Sequence, residues 1–277
     1  MGTKKNIKKK SMVYQNKYIS IVEFVTLLAI FTIVLWACFQ KPKIEIGKRF
    51  YKVADRTEEI KKYEKEQDYT IVGWIKIQGT NIDYPVLFYD NAPISDVRQN
   101  IGWTYRNTKK LDRRTVIEGH NILNLSSNPK IASKDSKRFE QLLSFYDPKF
   151  VKDNKYIQYT FKGENYVFKI FSVGLVGAES YYTQYEYTDE EFKSYLEKSR
   201  NDSLFDFDVD VDETDKIISV YTCTRFYGYG DSVSFRIDGR LLRDKEKIKN
   251  YDMKTTDNYT KAKAYSDSRK KAQEVQS

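Results

Sequence analysis

Short apolar stretches separated by Gly, Asn and Asp recur along most of the chain, from residue 69 to residue 245. Runs of four to eight β-branched and aromatic residues bounded by such turn residues are typical of β-strands. Many short strands with few helices between them favour a closed or half-closed β-barrel over alternating βαβ units. The pattern predicts strands over residues 71–77, 82–87, 101–105, 115–118, 156–161, 166–173, 216–222 and 233–242.

Two segments within this region have helical spacing instead. Residues 136–146 repeat apolar residues three and four positions apart, and the pattern ends before Pro148. The second segment begins at Thr188, which forms a capping-box pattern with Glu191 three residues later. The predicted fold class is therefore mainly β with inserted helices.

Acidic and apolar residues alternate just before the strand predicted over 216–222. A period of two predicts an extended segment with Phe207, Val209 and Val211 toward the core and the Asp side chains toward water. Carboxylates are also the ligands that calcium prefers, so a calcium site is the alternative. The regular alternation favours the solvent-facing strand, and we expect neither a metal nor a cofactor.

The two ends of the chain differ in composition from the strand-rich region. Residues 1–17 are rich in lysine, and residues 19–39 form an apolar run about as long as a bilayer-crossing helix. No small-residue cleavage site follows the run, which favours an uncleaved anchor over a signal peptide. Residues 246–277 are polar and lysine-rich, and we predict a solvated tail because apolar residues are scarce there.

These features divide the 277 residues around one large domain. The net charge of +9 lies mainly in the tails and accompanies no nucleic-acid motif, so we expect no nucleic-acid partner. Lysine and arginine flank the apolar run on both sides, so charge leaves the orientation of an anchor open. The predicted parts are a basic cytoplasmic tail over 1–17, a transmembrane anchor over 18–40, a linker with a charged helix over 41–68, the barrel domain over 69–245 and a polar tail over 246–277.

Two residues of the barrel domain are candidates for chemistry. The chain has two cysteines and one histidine, and Cys38 lies in the apolar run, so the barrel domain holds only Cys223 and His120. Each closes a predicted strand. A thiol and an imidazole are the groups that a nucleophile and its proton partner need. The alternative is an inert thiol and an unrelated histidine.

Four sequence blocks link these residues to a known family. They are Val-Gly-Trp-Ile-Lys-Ile over 72–77, Asn-Ile-Asp-Tyr-Pro-Val over 81–86, Gly-His-Asn over 119–121 and Ser-Val-Tyr-Thr-Cys over 219–223. In this order and with these gaps, the blocks resemble the class B sortases, the cysteine transpeptidases of Gram-positive cell surfaces, over about residues 55–243. The resemblance implies a sortase-like closed β-barrel behind an N-terminal transmembrane helix, in a single-pass cell-membrane protein whose catalytic domain is extracellular.

The resemblance also implies a reaction. Cys223 would attack a peptide carbonyl, release an amine and hold the product as a thioester, which a second amine then resolves. His120 would protonate the leaving amine and deprotonate the incoming one. The implied substrates are the sorting-signal peptide of a surface protein and an acceptor amine, either of peptidoglycan or of a pilin lysine.

A catalytic arginine completes the implied site, and here the chain departs from the family pattern. The arginine would hold the substrate carbonyl from the strand after Cys223. Ser234 occupies the matching position, and the nearest arginine is Arg236, two residues on and on the same face of a strand. Arg225 is the second candidate. A further departure is Glu118, which precedes Gly-His where a tyrosine is common.

Two other functions stay open from the sequence. A cysteine peptidase shares the thiol and the imidazole but transfers to water, and it more typically places the cysteine before the histidine. A non-catalytic surface-anchored binding module needs neither group, and the missing family arginine favours it. The predicted catalytic residues are His120, Cys223 and Arg236.

Overall fold

The computed structural model divides the chain into two compact units, residues 1–43 and 44–277, each described here by itself. It describes residues 24–26, 28–29, 31–32, 44–46, 49–51, 53–66, 69–89, 98–122, 136–177, 185–228 and 233–276.

The predicted cell-membrane localisation, which depended on an anchor over 18–40, needs correction. The described residues of that segment are helical, and the others, like the basic tail over 1–17, lie outside the described residues. Over the described ranges, no helix is both long enough and apolar enough to cross a bilayer. This finding contradicts the predicted single-pass cell-membrane localisation. The anchor predicted over 18–40 lies largely outside the described residues and stays a prediction.

The second unit contains twelve strands and four α-helices within its described residues. The strands are β1 Ile44–Ile46, β2 Arg49–Tyr51, β3 Ile71–Ile77, β4 Asp83–Phe88, β5 Gly102–Thr104, β6 Arg114–Gly119, β7 Tyr156–Phe161, β8 Glu164–Gly177, β9 Phe205–Phe207, β10 Ile217–Thr224, β11 Val233–Leu241 and β12 Met253–Thr255. The helices are α1 Thr57–Glu66, α2 Pro148–Asp153, α3 Asp189–Asn201 and α4 Asp257–Gln276, with a 3₁₀ helix over Glu140–Tyr146 before α2.

Strands β3 to β8, β10 and β11 form one closed barrel in the order β10-β11-β8-β7-β3-β4-β5-β6, which confirms the predicted barrel. Most neighbours are antiparallel. The exceptions are β4 with β5 and β6 with β10, and the parallel pair of β6 with β10 closes the ring. Because β6 and β10 are parallel, their carboxyl ends meet at the same edge of the barrel.

The side chains of β6 and β10 alternate between two apolar environments. Ile117 and Val220 are fully buried in the main core. Val116 and Tyr221, from the alternate positions, belong to a separate cluster on the opposite face, against which Tyr185 packs. Because side chains alternate along a strand, every second residue after Val116 and Tyr221 lies on this second face. These residues reach the end of the barrel.

The predicted helices are largely confirmed. The segment predicted over 136–146 contains the 3₁₀ helix, and Pro148 begins α2 rather than only ending the helix before it. Proline suits a first helical position because the missing N–H has no intrahelical partner there. At α3, the Thr188 and Glu191 side chains each accept a hydrogen bond from the other residue's backbone N–H, which completes the predicted capping box.

The acidic stretch alternates as predicted. Phe207 and Val209 are buried, whereas Asp206 and Asp208 are exposed. Only Phe205–Phe207 forms a strand, and it pairs with β12 in an antiparallel two-stranded sheet. The apolar members of the alternation therefore anchor the segment to the core.

The C-terminal segment differs from the predicted solvated tail. Ile248, Tyr251 and Ala262 are buried in the main core. The Tyr251 hydroxyl donates to the backbone carbonyls of Lys155 at 2.9 Å and Ile170 at 2.7 Å. The segment has few apolar residues, but these three face the domain, so its average composition understates its packing.

Candidate active site

Cys223 lies near the end of β10, between β6 on one side and β11 on the other. It is exposed, although its neighbours Thr222 and Thr224 are buried. In the register of β10 with β11, Cys223 pairs with Ser234. Tyr221, two residues earlier, pairs with Glu118 of β6. The thiol is therefore on the outer face of the barrel, at the edge where β6 and β10 both end.

His120 follows β6 and shares this face. It lies two residues beyond Glu118, just as Cys223 lies two residues beyond the opposing Tyr221, so the parallel register brings imidazole and thiol together. The His120 ring packs on Trp103, with ring centroids 4.8 Å apart. His120 and Cys223 border one cavity of about 100 Å³. Its lining residues are Trp103, Glu118, Gly119, His120, Tyr221, Thr222, Cys223 and Ser234.

Two hydrogen bonds fasten the ends of β6 and β10 to each other. The Asn121 side-chain amide donates to the Cys223 carbonyl at 3.0 Å, and the Thr222 hydroxyl donates to the Gly119 carbonyl at 2.7 Å. Both polar side chains are buried. The sequence analysis missed these positioning residues, although each is a polar neighbour of a candidate catalytic residue.

Gly119 allows the chain to pass a buried ring at this point. A Cβ atom added there would lie 2.0 Å from the Phe139 ring, which is itself fully buried. The Phe139 backbone N–H in turn donates to the His120 carbonyl at 3.0 Å. Glycine is therefore needed before the histidine because a larger side chain would displace the segment that holds it.

The cavity opposes negative charge. Although Cys223 is exposed at the surface, partial desolvation of its sulfur by the surrounding side chains raises the pKa of the thiol, and the neighbouring Glu118 carboxylate raises it further. Burial also raises the pKa of Glu118 to about 7, although hydrogen bonds from the Trp103 indole, at 3.2 Å, and from the Tyr105 side chain partly offset this. The signal for Glu118 in the sequence was an acidic residue two positions before His120 in an otherwise apolar strand, since period two places both on one face.

Arg236 lies on the same outer face but two residue pairs away from the thiol along the strands, opposite Tyr221. It is 1% exposed. Its Nε forms a 2.9 Å ion pair with Asp238, and it also donates to the Ser199 carbonyl at 3.3 Å. Burial lowers the pKa of Arg236, but Asp238 and nearby tyrosines raise it more, so the guanidinium stays charged.

The structure thus joins two of the three predicted residues in one cavity. Among the described lining residues of the cavity there is no arginine or lysine. Arg225, the second candidate, is half-buried directly after β10. Arg114 is a second buried arginine, and it was not predicted from the sequence. It supports the cavity wall by donating to the Tyr221 hydroxyl at 2.6 Å.

A closed eight-strand barrel with a thiol and an imidazole in one cavity defines a cysteine enzyme of the acyl-transfer class. No family model matches the chain. Sortase B of Listeria monocytogenes is 30% identical over 201 residues, which cover 69% of this chain and 75% of that protein. Sortase B of Staphylococcus aureus is 26% identical over 199 residues, covering 68% and 75%.

A solved structure agrees with this relationship. The Staphylococcus aureus sortase B–substrate complex superposes with a TM-score of 0.56 at 19% identity, covering 83% of this chain and 99% of that one. The chain belongs to the class B sortases. It is a sortase-type cysteine transpeptidase, so the alternative of a non-catalytic binding module no longer applies.

Proposed function

We propose that this transpeptidase cleaves the C-terminal sorting signal of a surface protein and transfers the product to an amine of the cell wall, through a thioester on Cys223. The observation that supports this most directly is that Cys223 and His120 border one cavity. The solved complex of the Staphylococcus aureus relative with a substrate supports a peptide as the ligand. The acceptor is an amine of peptidoglycan or a pilin lysine.

Cys223 and His120 alone account for the bonds and protons exchanged in the proposed steps. The Cys223 thiolate adds to the peptide carbonyl, the C–N bond breaks, and His120 donates its proton to the leaving amine. The incoming amine then adds to the thioester, loses a proton to His120 and expels the thiolate. Because the pKa of Cys223 is raised, thiolate is the minority form at neutral pH and its formation contributes to the barrier.

We propose that Arg236 holds the substrate carbonyl, a role that requires its side chain to leave Asp238. The buried ion pair with Asp238 fixes the side chain of Arg236, a residue two residue pairs from Cys223 along the strands. To contact the carbonyl, the side chain has to turn from Asp238 toward Cys223 as the peptide binds. The added positive charge would stabilise the oxyanion of the tetrahedral intermediate.

We also propose that the catalytic domain spans 69–245 and that 41–68 is its linker and N-terminal helix. In support, Ile60 and Tyr63 of α1 pack against a small cluster of Ile71, Leu87 and Ile101 on the barrel. The helix therefore covers the side of the barrel formed by β3, β4 and the start of β5.

Mass spectrometry of the trapped acyl-enzyme tests the proposal. The full chain is incubated with a library of sorting-type peptides without acceptor, and an adduct on Cys223 that hydroxylamine removes is expected. Cys38→Ser is the matched control and should still form the adduct, whereas Cys223→Ala should not. Addition of a wall-peptide amine should then give an amide product. Free acid as the only product with every amine would contradict transfer.

A further inference from the structure

Glu118 has an unusual environment for a carboxyl group beside a thiol. It lies on the outer face of β6, opposite Tyr221, and lines the cavity with Cys223 and His120. Its Oε2 atom accepts a 3.2 Å hydrogen bond from the Trp103 indole. Its Oε1 atom is buried and has no hydrogen-bond partner among the described residues. A buried polar atom without a partner costs free energy, so its retention calls for an explanation.

The surroundings of Glu118 favour its protonated, neutral form. No cationic side chain is among the described residues that line the cavity, apart from His120 when protonated. Burial raises the pKa of Glu118 to about 7. Around neutral pH a large fraction of the group is therefore a neutral acid, which carries one O–H donor. Trp103 donates to Oε2, and Tyr105 also hydrogen-bonds the carboxyl and lowers its pKa, although less than burial raises it. We assign the proton of the neutral acid to Oε1, the buried oxygen of a side chain that lines the cavity.

The reaction needs a donor at this place. Nucleophilic addition to a carbonyl moves negative charge onto the oxygen, and a fixed donor lowers the barrier only if it faces that oxygen. Arg236 is committed to Asp238 and is not among the lining residues. The cavity wall formed by β6 offers Glu118 instead, on the face that it shares with the thiol.

We propose that Glu118 is a further catalytic residue, whose protonated carboxyl donates a hydrogen bond to the oxygen of the carbonyl that Cys223 attacks. This inference rests on the proposed function. The proton stays on Glu118 throughout: the hydrogen bond strengthens while the oxygen is negative and relaxes when the C–N bond breaks. An oxyanion accepts more than one donor, so Glu118 on β6 and Arg236 on β11 can act together from opposite sides.

A second role for the same group would require the opposite charge. An ionised Glu118 would bind the ammonium of the acceptor amine and would act in the second step rather than the first. The two roles separate on substitution by glutamine, which keeps a hydrogen-bond donor but cannot carry the charge. Glu118→Gln preserves the donor role and removes the ammonium-binding role.

The titration of Glu118 is coupled to its neighbours. Tyr185, which precedes α3, has its own pKa raised by burial and then by Glu118. Cys223 titrates in the same cavity, so a pH profile of the wild type alone does not isolate Glu118. The titratable and charged side chains around it are Tyr105, His120, Tyr185, Tyr221, Cys223 and Arg236.

The test is the single-turnover rate of thioester formation on Cys223 without acceptor, measured for the full chain and its variants. Glu118→Gln should keep the rate within about threefold, whereas Glu118→Ala should lose about 100-fold, the usual effect of removing one oxyanion donor. The ratio of wild-type to Glu118→Gln rates should fall as the pH rises through about 7, because the wild type loses its donor there. Glu164→Gln, at an exposed position of β8, is the matched control and should equal the wild type.

Three outcomes would overturn the inference. Equal rates for Glu118→Ala and Glu118→Gln would mean that only the charge of Glu118 matters. A normal rate for Glu118→Ala would exclude any contact with the carbonyl. Unchanged thioester formation by both Glu118→Ala and Glu118→Gln, with a raised KM of both variants for the acceptor amine, would assign the ammonium-binding role instead. Failure of the wild type itself to form a thioester with any peptide would instead contradict the proposed function, and the inference with it.

Discussion

At the scale of single residues, the thiol of Cys223 is held in surroundings that disfavour its reactive form. Burial and Glu118 both raise its pKa, so the resting site is mostly uncharged at sulfur. The gain is protection, because a thiol reacts far more slowly with oxidants and alkylating agents than a thiolate does. We therefore expect the reactivity of Cys223 to depend on its immediate neighbours more than on its exposure.

Substitution of the two cavity residues gives the simplest prediction. Cys223→Ala should abolish transpeptidation, and His120→Ala should reduce kcat/KM by about 10²- to 10⁴-fold, the usual contribution of general acid–base catalysis. The measurement is kcat/KM for one peptide and one amine, with folding checked by circular dichroism. More than trace activity in Cys223→Ala would disprove the thioester mechanism.

Arg236 gives a prediction with two readouts. Arg236→Ala should lower kcat/KM by about 100-fold, and it should also destabilise the fold by about 3 kcal/mol because Asp238 loses its buried cationic partner. Arg236→Lys should restore little, since an ammonium does not reproduce the planar guanidinium. Arg225→Ala, outside the cavity wall, should cost much less in both measurements.

Asp238→Asn is the control that separates the two effects of Arg236. It weakens the ion pair but leaves the guanidinium, so it should destabilise the fold while keeping activity if Arg236 turns toward the substrate. If instead Arg236→Ala is destabilised yet catalyses like the wild type when folded, Arg236 is a structural residue. The sequence placed Arg236 on the correct strand face, but its pairing with Asp238 depends on packing that no spacing rule contains.

At the scale of the elements, α4 supports the segment that follows the catalytic strand. Phe226, three residues after Cys223, is 1% exposed and lies in an aromatic group with Tyr146 and Tyr265. The Tyr265 hydroxyl donates to the backbone carbonyl of Tyr227 at 2.5 Å. The helix therefore restrains residues 226 and 227, which follow the catalytic strand.

The contact between α4 and this connection can be tested with a point substitution. Tyr265→Ala should destabilise the protein by about 1 to 2 kcal/mol through lost aromatic packing, and it should increase amide exchange at residues 225–228. It should also lower kcat/KM several-fold. Lys271→Ala, at an exposed position of the same helix, is the control. Unchanged exchange at 225–228 in Tyr265→Ala would show that α4 does not restrain the segment.

Two of the sequence blocks, 72–77 and 81–86, are joined by a hydrogen-bond network in this structure. The Asp83 carboxylate accepts from the Trp74 indole at 2.7 Å and from Lys76 at 2.9 Å, and it also pairs with Arg56. Tryptophan, lysine and aspartate at these positions therefore join β3, β4 and the segment before α1. The strands were predictable because period-two patterns are local, whereas this network spans three elements.

At the scale of the whole molecule, the sequence predicted the barrel but not its boundaries. Each predicted barrel strand is present because alternating and continuous apolar runs are local signals. The C-terminal segment was misjudged because Ile248, Tyr251 and Ala262 are isolated apolar residues whose burial depends on β9 and the barrel. Part of the cavity was predictable, because Cys223 and His120 each lie at the end of a predicted strand. The position of Glu118 beside them depends on the parallel register of β6 with β10, which is a property of the closed sheet.

Two glutamates should shape the pH dependence of stability with opposite signs. Burial opposes the charge of Glu246, but hydrogen bonds from Arg240 and the Arg243 backbone outweigh it and lower the pKa to about 2. A lowered folded pKa means that stability is lost as the pH falls from about 4.5 toward 2. For Glu118 burial raises the pKa from 4.5 to about 7, so the folded state binds the proton more tightly than the unfolded state does.

The contribution of Glu118 is therefore fully present below about pH 4.5 and is lost as the pH rises through about 7. The expected loss is on the order of 2 to 3 kcal/mol. Urea unfolding at several pH values between 4.5 and 8 measures it, and Glu118→Gln should flatten the fall because the amide does not ionise. Glu164→Gln should follow the wild type, since this side chain is exposed. The contrary outcome is a wild-type stability that rises across this range more than that of Glu118→Gln. It would mean that Glu118 is ionised and stabilised in the folded protein. The proposed catalytic role of Glu118 would then lose the donor on which it depends.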